Sequence, residues 1–217
     1  MKLSAAPAGR TSISAAEIHV WSAQLDSAQW PGCDRLPAEE QERAARLQCP
    51  LARGRWVASR WALREVLGRY LDRDPAEVEL RIAKRGKPML AGPTPSLRFN
   101  LSHSDGRALV AVAWQREVGV DIERIAPRRN LLSLARRALE PAEATAIEAA
   151  SPEDRLAAFH AAWTRREAIA KCLGTGLWAP SSDQAQTAVS PLDVGRGFAA
   201  ALAVSGAHMP PHRHLVI

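Results

Sequence analysis

Apolar and polar positions recur with strand or helix spacing along most of the chain, and this pattern predicts an ordered series of elements. Residues 17–25 begin with strict alternation, which predicts a first strand. Residues 51–71 carry apolar side chains three and four positions apart, the pattern of an amphipathic helix. The acidic segment that follows Pro37 predicts the start of a shorter helix before it.

The rest of the chain can be interpreted in the same way. Two short elements flank 84–88, and strands at 97–101 and 109–114 are joined by a polar turn at 103–107; another strand is predicted at 118–122. Helical regions are predicted at 131–150 and 156–173, the second closed by Gly174. We expect turns from residue 179 to a strand at 198–204, and a frayed tail at 210–214.

This order of elements predicts an α+β fold. Each half of the chain holds one long helix and a few strands, so we expect two related α+β halves, 1–115 and 116–217. No internal sequence repeat is detectable, and the residues do not by themselves establish a symmetry between the halves.

The composition is that of a soluble globular protein, with 47% hydrophobic and 24% charged residues. No apolar run approaches the ~20 residues that span a bilayer, and the first 14 residues lack the hydrophobic region of a secretory signal. A cytoplasmic location is therefore the expectation. The three cysteines have no metal-like spacing and are expected to be free thiols.

The net charge of +6 favours an anionic partner. Nucleotide phosphates, an acidic protein and nucleic acid all satisfy that condition, and charge alone does not choose among them. A solvated, arginine-rich surface without a partner would give the same count.

The strand at 118–122 leads into a pair of carboxylates. Because strand side chains alternate, Asp121 and Glu123 lie on one face, ~6.5 Å apart along the strand, and could share a hard cation. Gly119 on the same face leaves room beside them. The same pattern also fits a half-exposed strand with an acidic face.

Three further segments carry candidate chemistry. On the helix at 156–173, Trp163, Glu167 and Lys171 are four positions apart and form one stripe, which suits either an exposed ion pair or a metal ligand beside a phosphate-binding cation. Residues 100–104 (NLSHS) offer hydroxyls and an imidazole that could surround a phosphate, or simply form a turn. Lys87 is either a phosphate contact or a solvated turn lysine.

Taken together and in this order, four segments resemble the motifs of the surfactin-type 4'-phosphopantetheinyl transferases. They are GKP at 86–88, FNLSHS at 99–104, GVDIE at 119–123 and WTRREAIAK at 163–171. The resemblance runs from about residue 55 to 176. One position departs, because Arg166 stands where the family usually has Lys; the charge is kept, but a guanidinium does not readily lose a proton.

The resemblance implies magnesium-dependent transfer of the 4'-phosphopantetheine arm from coenzyme A to a serine of an acyl, peptidyl or aryl carrier protein, with release of adenosine 3',5'-bisphosphate. Manganese is a possible substitute. It also implies a monomer in which the two halves form an intramolecular pseudodimer. The implied residues are Asp121, Glu123 and Glu167 for the metal; Glu167 and Lys171 for catalysis; and Arg55, Lys87, Ser102, His103 and Lys171 for coenzyme A.

Some alternatives stay open. Glu167 is the best candidate for the base, directly or through a metal-bound water, and His103 is its rival. A basic nucleic-acid-binding domain would explain the charge and the seven tryptophans, although most of these lie in core-like settings and a paired carboxylate would repel a phosphate backbone. A relative that binds coenzyme A without transferring the arm is the other alternative. Carrier choice and tolerance of acyl-coenzyme A are not readable from the motifs.

Overall fold

The computed structural model describes residues 11–83, 86–92, 96–177 and 186–217. Strands and helices are both abundant there, so the predicted α+β class is confirmed. None of the described helices is long and apolar enough to cross a membrane. The elements are β1 (Ile18–Gln24), α1 (Ala38–Ala45), α2 (Pro50–Leu71), β2 (Leu80–Ile82), β3 (Pro88–Leu90), β4 (Leu97–Ser104), β5 (Arg107–Trp114), β6 (Val118–Arg124), α3 (Leu131–Ala138), α4 (Pro141–Ala149), α5 (Pro152–Leu173), β7 (Thr187–Pro191), β8 (Phe198–Ser205) and β9 (His212–Val216).

The first sheet has the order β4-β5-β1-β9, with β9 parallel to β1 and the other pairs antiparallel. Helix α2 covers its outer face, where Leu63 and Leu67 pack with Trp21, Val110 and Val112. Part of the apolar pattern of the predicted helix therefore packs against the sheet, whereas Val57 and Trp61 pack with Leu36 and Ala44.

The second sheet has the order β6-β8-β7 and is antiparallel throughout. Helix α5 covers its outer face, with Ala168 and Cys172 packed on Ala201 and Ala203. The small residues of β8 let this helix approach the sheet closely.

The inner faces of the two sheets share one apolar core. Ile18 and Leu109 from the first sheet pack there with Val120, Ile122 and Leu202 from the second. The layers therefore run helix, sheet, sheet, helix, and the boundary between the sheets is buried rather than open to solvent.

Several boundaries differ from the sequence predictions. Strands β4 and β5 meet across a two-residue turn, Asp105-Gly106, with Asp105 at φ 54°, so His103 and Ser104 belong to β4 and not to the turn. The helical region 131–150 is two helices, since Pro141 begins a new one. Strand β7 was not predicted because its residues are mostly half-buried and include few large apolar side chains.

The expectation of a frayed tail is wrong. Residues His212–Val216 form β9, whose register with β1 runs from Ile18–His212 to Ser22–Val216. The last strand of the chain therefore lies in the first sheet. A division of the chain at residue 115 stays a prediction. Strand β9 belongs to the second half by sequence but lies with the first half in the structure.

Gly119 is the position where α5 approaches β6 most tightly. A Cβ atom at this residue would lie 2.1 Å from the Ala168 carbonyl oxygen and 2.4 Å from the Cys172 nitrogen, both of them main-chain atoms of α5. The glycine therefore serves the packing of the helix, and the sequence interpretation that it leaves room beside the carboxylates misses this role.

We predict that Gly119→Ala lowers the free energy of unfolding by about 1–3 kcal/mol, because α5 must shift to admit the methyl group. Gly54→Ala is the matched control: it is exposed on α2, and an added Cβ there has no neighbour within 4 Å. Replacing that helical glycine by alanine should raise the free energy of unfolding by about 0.5–1 kcal/mol. Urea denaturation of both variants measures the difference, and equal stabilities would contradict the role given to Gly119.

Candidate active site

Strands β4 and β6 are joined by side chains rather than by a backbone ladder. Alternate polar residues of β4 accept hydrogen bonds from alternate main-chain N–H groups of β6. The pairs are Asn100 with Val120 at 2.9 Å, Ser102 with Ile122 at 3.3 Å and Ser104 with Arg124 at 3.0 Å. The polar segment 100–104 therefore supplies acceptors for these donors of β6, and burial requires this for the N–H groups of Val120 and Ile122. We call this set of contacts the seam.

A cation, a carboxylate and a hydroxyl meet at the middle of the seam. The Lys171 Nζ donates to Asp121 Oδ1 at 2.6 Å and to Ser102 Oγ at 3.0 Å, and Ser102 donates to the same carboxylate oxygen at 2.8 Å. Asp121 is only 3% exposed. Burial raises the pKa of its carboxyl above the ordinary value, while Lys171 and Ser102 oppose that rise.

The second oxygen of Asp121 is buried and has no hydrogen-bond partner in the described structure. A buried carboxylate oxygen without a donor is costly unless something else binds it. This oxygen is therefore the strongest local indication of a cation ligand.

Glu123 lies two residues further along β6, at the edge of the same cluster. Ser104 Oγ donates to its Oε2 at 3.2 Å, and the Arg128 guanidinium lies 3.6 Å from its Oε1. Asp121 and Glu123 were predicted to lie on one face of the strand. Their partners Ser102 and Ser104 are likewise two residues apart on β4, so each carboxylate meets one serine across the seam.

Glu167 projects from α5, half-buried, one turn before Lys171. Burial raises the pKa of its carboxyl; Lys171 opposes the rise, and the negative charges of Asp121 and Glu123 add to it. A carboxyl with a raised pKa beside a buried ion pair has the character expected of a general base. Trp163, one turn earlier, is buried and anchors this face of the helix.

The donor set suits a hard divalent cation, since carboxylate oxygens are the preferred ligands of Mg²⁺. Among the described residues, however, no group of three or more His, Cys, Asp or Glu side chains is arranged to hold a metal ion. The described residues therefore form no closed metal cage by themselves, and a metal-binding role of Asp121, Glu123 and Glu167 stays a prediction.

A cleft of 720 Å³ adjoins this cluster. Glu167 and Lys171 line one part of it, and apolar side chains such as Phe99 and Leu173 line another. Lys87 also lines the cleft, where its ammonium donates to Glu117 at 3.1 Å and to the Lys171 carbonyl at 3.1 Å.

Glu117 and Arg98, which pair at 2.8 Å on the wall of this cleft, were missed by sequence reasoning. Neither belongs to a motif, and single charges at strand starts give no pattern to find. Arg128 was also missed, although an arginine close behind a pair of candidate metal ligands could have been noticed.

Of the predicted coenzyme contacts, Arg55 lies away from this cluster, and His103 lies beside it without a described hydrogen bond to it. Arg55 binds Asp26 and, at 2.6 Å, Asp105 in the β4–β5 turn, so it lies at the opposite end of β4 from the Glu117 that holds Lys87. His103 is exposed at the end of β4. Desolvation by the surrounding protein, with the positive charges of Lys171 and Arg60, keeps the pKa of its imidazole below the ordinary value.

The structure thus brings Ser102, Asp121 and Lys171 into direct contact, with Glu123 and Glu167 beside them. Lys87 reaches the same cleft through the Lys171 main chain, whereas Arg55 contacts none of these groups in the described residues. The roles of all these residues stay predictions.

Residues 117–202 match a family model described as the 4'-phosphopantetheinyl transferase superfamily. The chain is similar to the 4'-phosphopantetheinyl transferase HetI of a Nostoc species, at 37% identity over 74% of this chain and 70% of the relative. It is also similar to the transferase AcpT of Salmonella typhi, at 41% identity over 58% of this chain and 62% of the relative. A third relative, a 4'-phosphopantetheinyl transferase of Bacillus subtilis, is 28% identical over 67% of this chain and 63% of its own length.

We predict that Ser102→Ala lowers the free energy of unfolding by about 1–3 kcal/mol, because the buried Ile122 N–H loses its acceptor. Ser133→Ala is the control: that hydroxyl is exposed and donates only to the Asn130 carbonyl in the same turn, so its change should stay within about 0.5 kcal/mol. Urea unfolding of both variants provides the measurement. If the Ser102 variant is as stable as the control, the seam does not stabilise the fold as proposed.

Proposed function

This chain belongs to the 4'-phosphopantetheinyl transferase superfamily, and we propose that it transfers the 4'-phosphopantetheine arm of coenzyme A to a serine of a carrier protein. The observation that carries the proposal is the contact of Lys171 with Asp121 and Ser102, with Glu167 on the same face of α5. These residues belong to three separate motifs; Lys171 contacts Ser102 and Asp121 directly, and Lys171 and Glu167 line the cleft.

We propose that the chain belongs to the surfactin-type branch, in which one chain supplies both halves of the site. Its two helix-covered sheets and their shared core support an intramolecular pseudodimer, with 1–115 and 116–217 as its halves and β9 returned to the first. A monomer is the corresponding proposal for the assembly.

Coenzyme A is proposed to bind in the cleft with its pyrophosphate at Lys171. Lys171 has a short ion pair with Asp121, and Lys87 reaches the same cleft. Ser102, His103 and Arg55 remain proposed contacts of the nucleotide; Ser102 already serves the seam, and Arg55 would have to leave Asp26 or Asp105 to bind a phosphate.

Mg²⁺, with Mn²⁺ as a substitute, is proposed to be held by Asp121, Glu123 and Glu167. When bound there, such an ion would neutralise charge on the pyrophosphate oxygens and stabilise the leaving bisphosphate. The unpartnered Asp121 oxygen supports this choice of ligand. The protein's own contribution is to fix Asp121 and Glu123 through Ser102, Ser104 and Lys171, as phosphoryl transfer depends mainly on positioning and charge.

In the proposed reaction the carrier serine oxygen attacks the phosphorus attached to the pantetheine arm. A new P–O bond forms, the bridging P–O bond of the pyrophosphate breaks, and its electron pair leaves with adenosine 3',5'-bisphosphate. Glu167 accepts the serine proton, for which its raised pKa suits it. Lys171 holds the phosphate oxygens during the transfer.

The partner is proposed to be an acyl, peptidyl or aryl carrier protein. Such proteins are typically acidic around the modified serine, and the net charge of +6 would speed their encounter with this chain at low salt. We propose a role in secondary metabolism within the cytoplasm, without a nucleic-acid or membrane partner.

We predict that an apo carrier protein incubated with this protein, coenzyme A and Mg²⁺ gains the mass of one phosphopantetheine group, and that EDTA prevents the gain. Intact-mass spectrometry of acyl, peptidyl and aryl carriers provides the measurement. If folded protein binds coenzyme A and yet modifies none of the three, the proposed transfer is wrong and the chain is a coenzyme-binding relative.

We predict that Glu167→Gln abolishes transfer while coenzyme A still binds, because the amide cannot accept the serine proton. Glu153→Gln, an exposed change in the first turn of the same helix, is the matched control and should retain full activity. Single-turnover transfer and coenzyme A titration are measured for both variants. Near-normal turnover of the Glu167 variant would exclude this side chain as the base.

A further inference from the structure

One cation at the candidate site is held by aromatic rings instead of by hydrogen bonds. The Arg128 guanidinium lies 5.5 Å from the centre of the Trp163 ring and 6.0 Å from that of Phe159. The two rings are themselves stacked at 5.8 Å with an interplanar angle of 26°. Because both rings are buried, they form a rigid support for the arginine side chain.

The other cations of the site have acceptors already. Lys171 donates to Asp121 and Ser102, and Lys87 donates to Glu117 and a main-chain carbonyl. The nearest acidic oxygen to Arg128 in the described residues is that of Glu123 at 3.6 Å, beyond ordinary hydrogen-bond length. The planar N–H donors of Arg128 are therefore oriented but uncommitted there.

The position of Arg128 matches that of an anion receptor for the reacting group. Its guanidinium lies 3.6 Å from Glu123 Oε1, and its positive charge, like that of Lys171, acts on the Glu167 carboxyl in the direction that lowers its pKa. Glu123 and Glu167 are the carboxylates proposed to hold the cation to which a pyrophosphate would bind. A guanidinium beside these carboxylates offers a planar fork of donors, which can bind phosphate oxygens in a bidentate manner.

We propose that Arg128 is a further catalytic residue, which binds the non-bridging oxygens of the phosphoryl group that is transferred. The inference rests on the proposed transferase function. In it, Lys171 and Arg128 both contact the pyrophosphate, and Arg128 binds the phosphoryl group that carries the pantetheine arm. The adenosine bisphosphate that leaves has lost that phosphoryl group.

A contact between Arg128 and the transferred phosphoryl group would distinguish two ligands whose nucleotide parts make the same contacts. Coenzyme A carries the transferred phosphoryl group and adenosine 3',5'-bisphosphate does not. Loss of the Arg128 charge should therefore weaken the binding of coenzyme A and leave the affinity for the bisphosphate unchanged. A merely structural role would change both affinities together, or the stability.

The test compares Arg128→Met, Arg128→Lys and Arg129→Met in the full chain. Methionine keeps a long apolar side chain on the Trp163 ring, so the fold should be retained. Lysine keeps the charge without the planar fork. Arg129 is the neighbouring exposed arginine, and its replacement changes the net charge equally.

We predict that Arg128→Met lowers kcat by on the order of 100-fold, the usual effect of removing one transition-state donor. Arg128→Lys should lose about 10-fold, and Arg129→Met should stay within about twofold. By calorimetry in EDTA, Arg128→Met should bind coenzyme A several-fold more weakly and adenosine 3',5'-bisphosphate as the unmodified chain does. The unfolding temperatures of the variants should agree.

Three results would overturn the proposal. They are a kcat for Arg128→Met equal to that of Arg129→Met, an equal loss of affinity for both nucleotides, and a rise in KM for the carrier alone, which would make Arg128 a carrier contact. If the chain without substitutions modifies no carrier, the proposed function is wrong. The nucleotide titrations would still report which phosphate Arg128 contacts.

Discussion

The geometry of the candidate site depends on the seam between β4 and β6. Two sheets that pack face to face need a way to satisfy the polar groups of the strands that meet at their boundary. Here the side chains of Asn100, Ser102 and Ser104 perform that task, and two of them also bind the carboxylates of β6. The register of the seam therefore fixes the positions of Asp121 and Glu123, and a slip of one residue would turn both carboxylates away from α5.

A second constraint brings α5 to the carboxylates. Lys171 can reach Asp121 only because the helix lies close on β6 and β8, and that approach needs Gly119 beneath it and alanines beside it. The residues at this contact have small side chains, so the main chain of α5 sets the distance. The chemistry of Glu167 and Lys171 is in this sense a consequence of packing between a helix and a sheet.

Much of this arrangement was predictable from the sequence, and the exceptions have physical reasons. Helices α2 and α5 and the carboxylate pair were predicted from the spacing of residues along the chain, because that spacing is a local feature and does not depend on distant contacts. The role of Asn100 and Ser104 was not predictable, since a polar segment at a strand end looks the same in a turn and in a seam. Strand β9 was missed because its pairing with β1 joins residues far apart in the chain, and its own composition is that of a tail.

The charges of the cluster explain why it can be stable without a ligand and still bind one. Asp121 is neutralised by Lys171, and the half-buried Glu123 lies 3.6 Å from the Arg128 guanidinium, so each carboxylate has a positive charge beside it, although the second oxygen of Asp121 has no hydrogen-bond donor in the described structure. An anionic substrate that arrives with a divalent cation offers each of these side chains a new opposite charge. The carboxylates can bind the cation, and the lysine and the arginine can bind phosphate oxygens. Because each charge then exchanges one opposite charge for another, binding need not leave a buried ion unpaired, which would cost several kcal/mol. The same exchange places positive groups around phosphate oxygens, where charge must be stabilised during transfer.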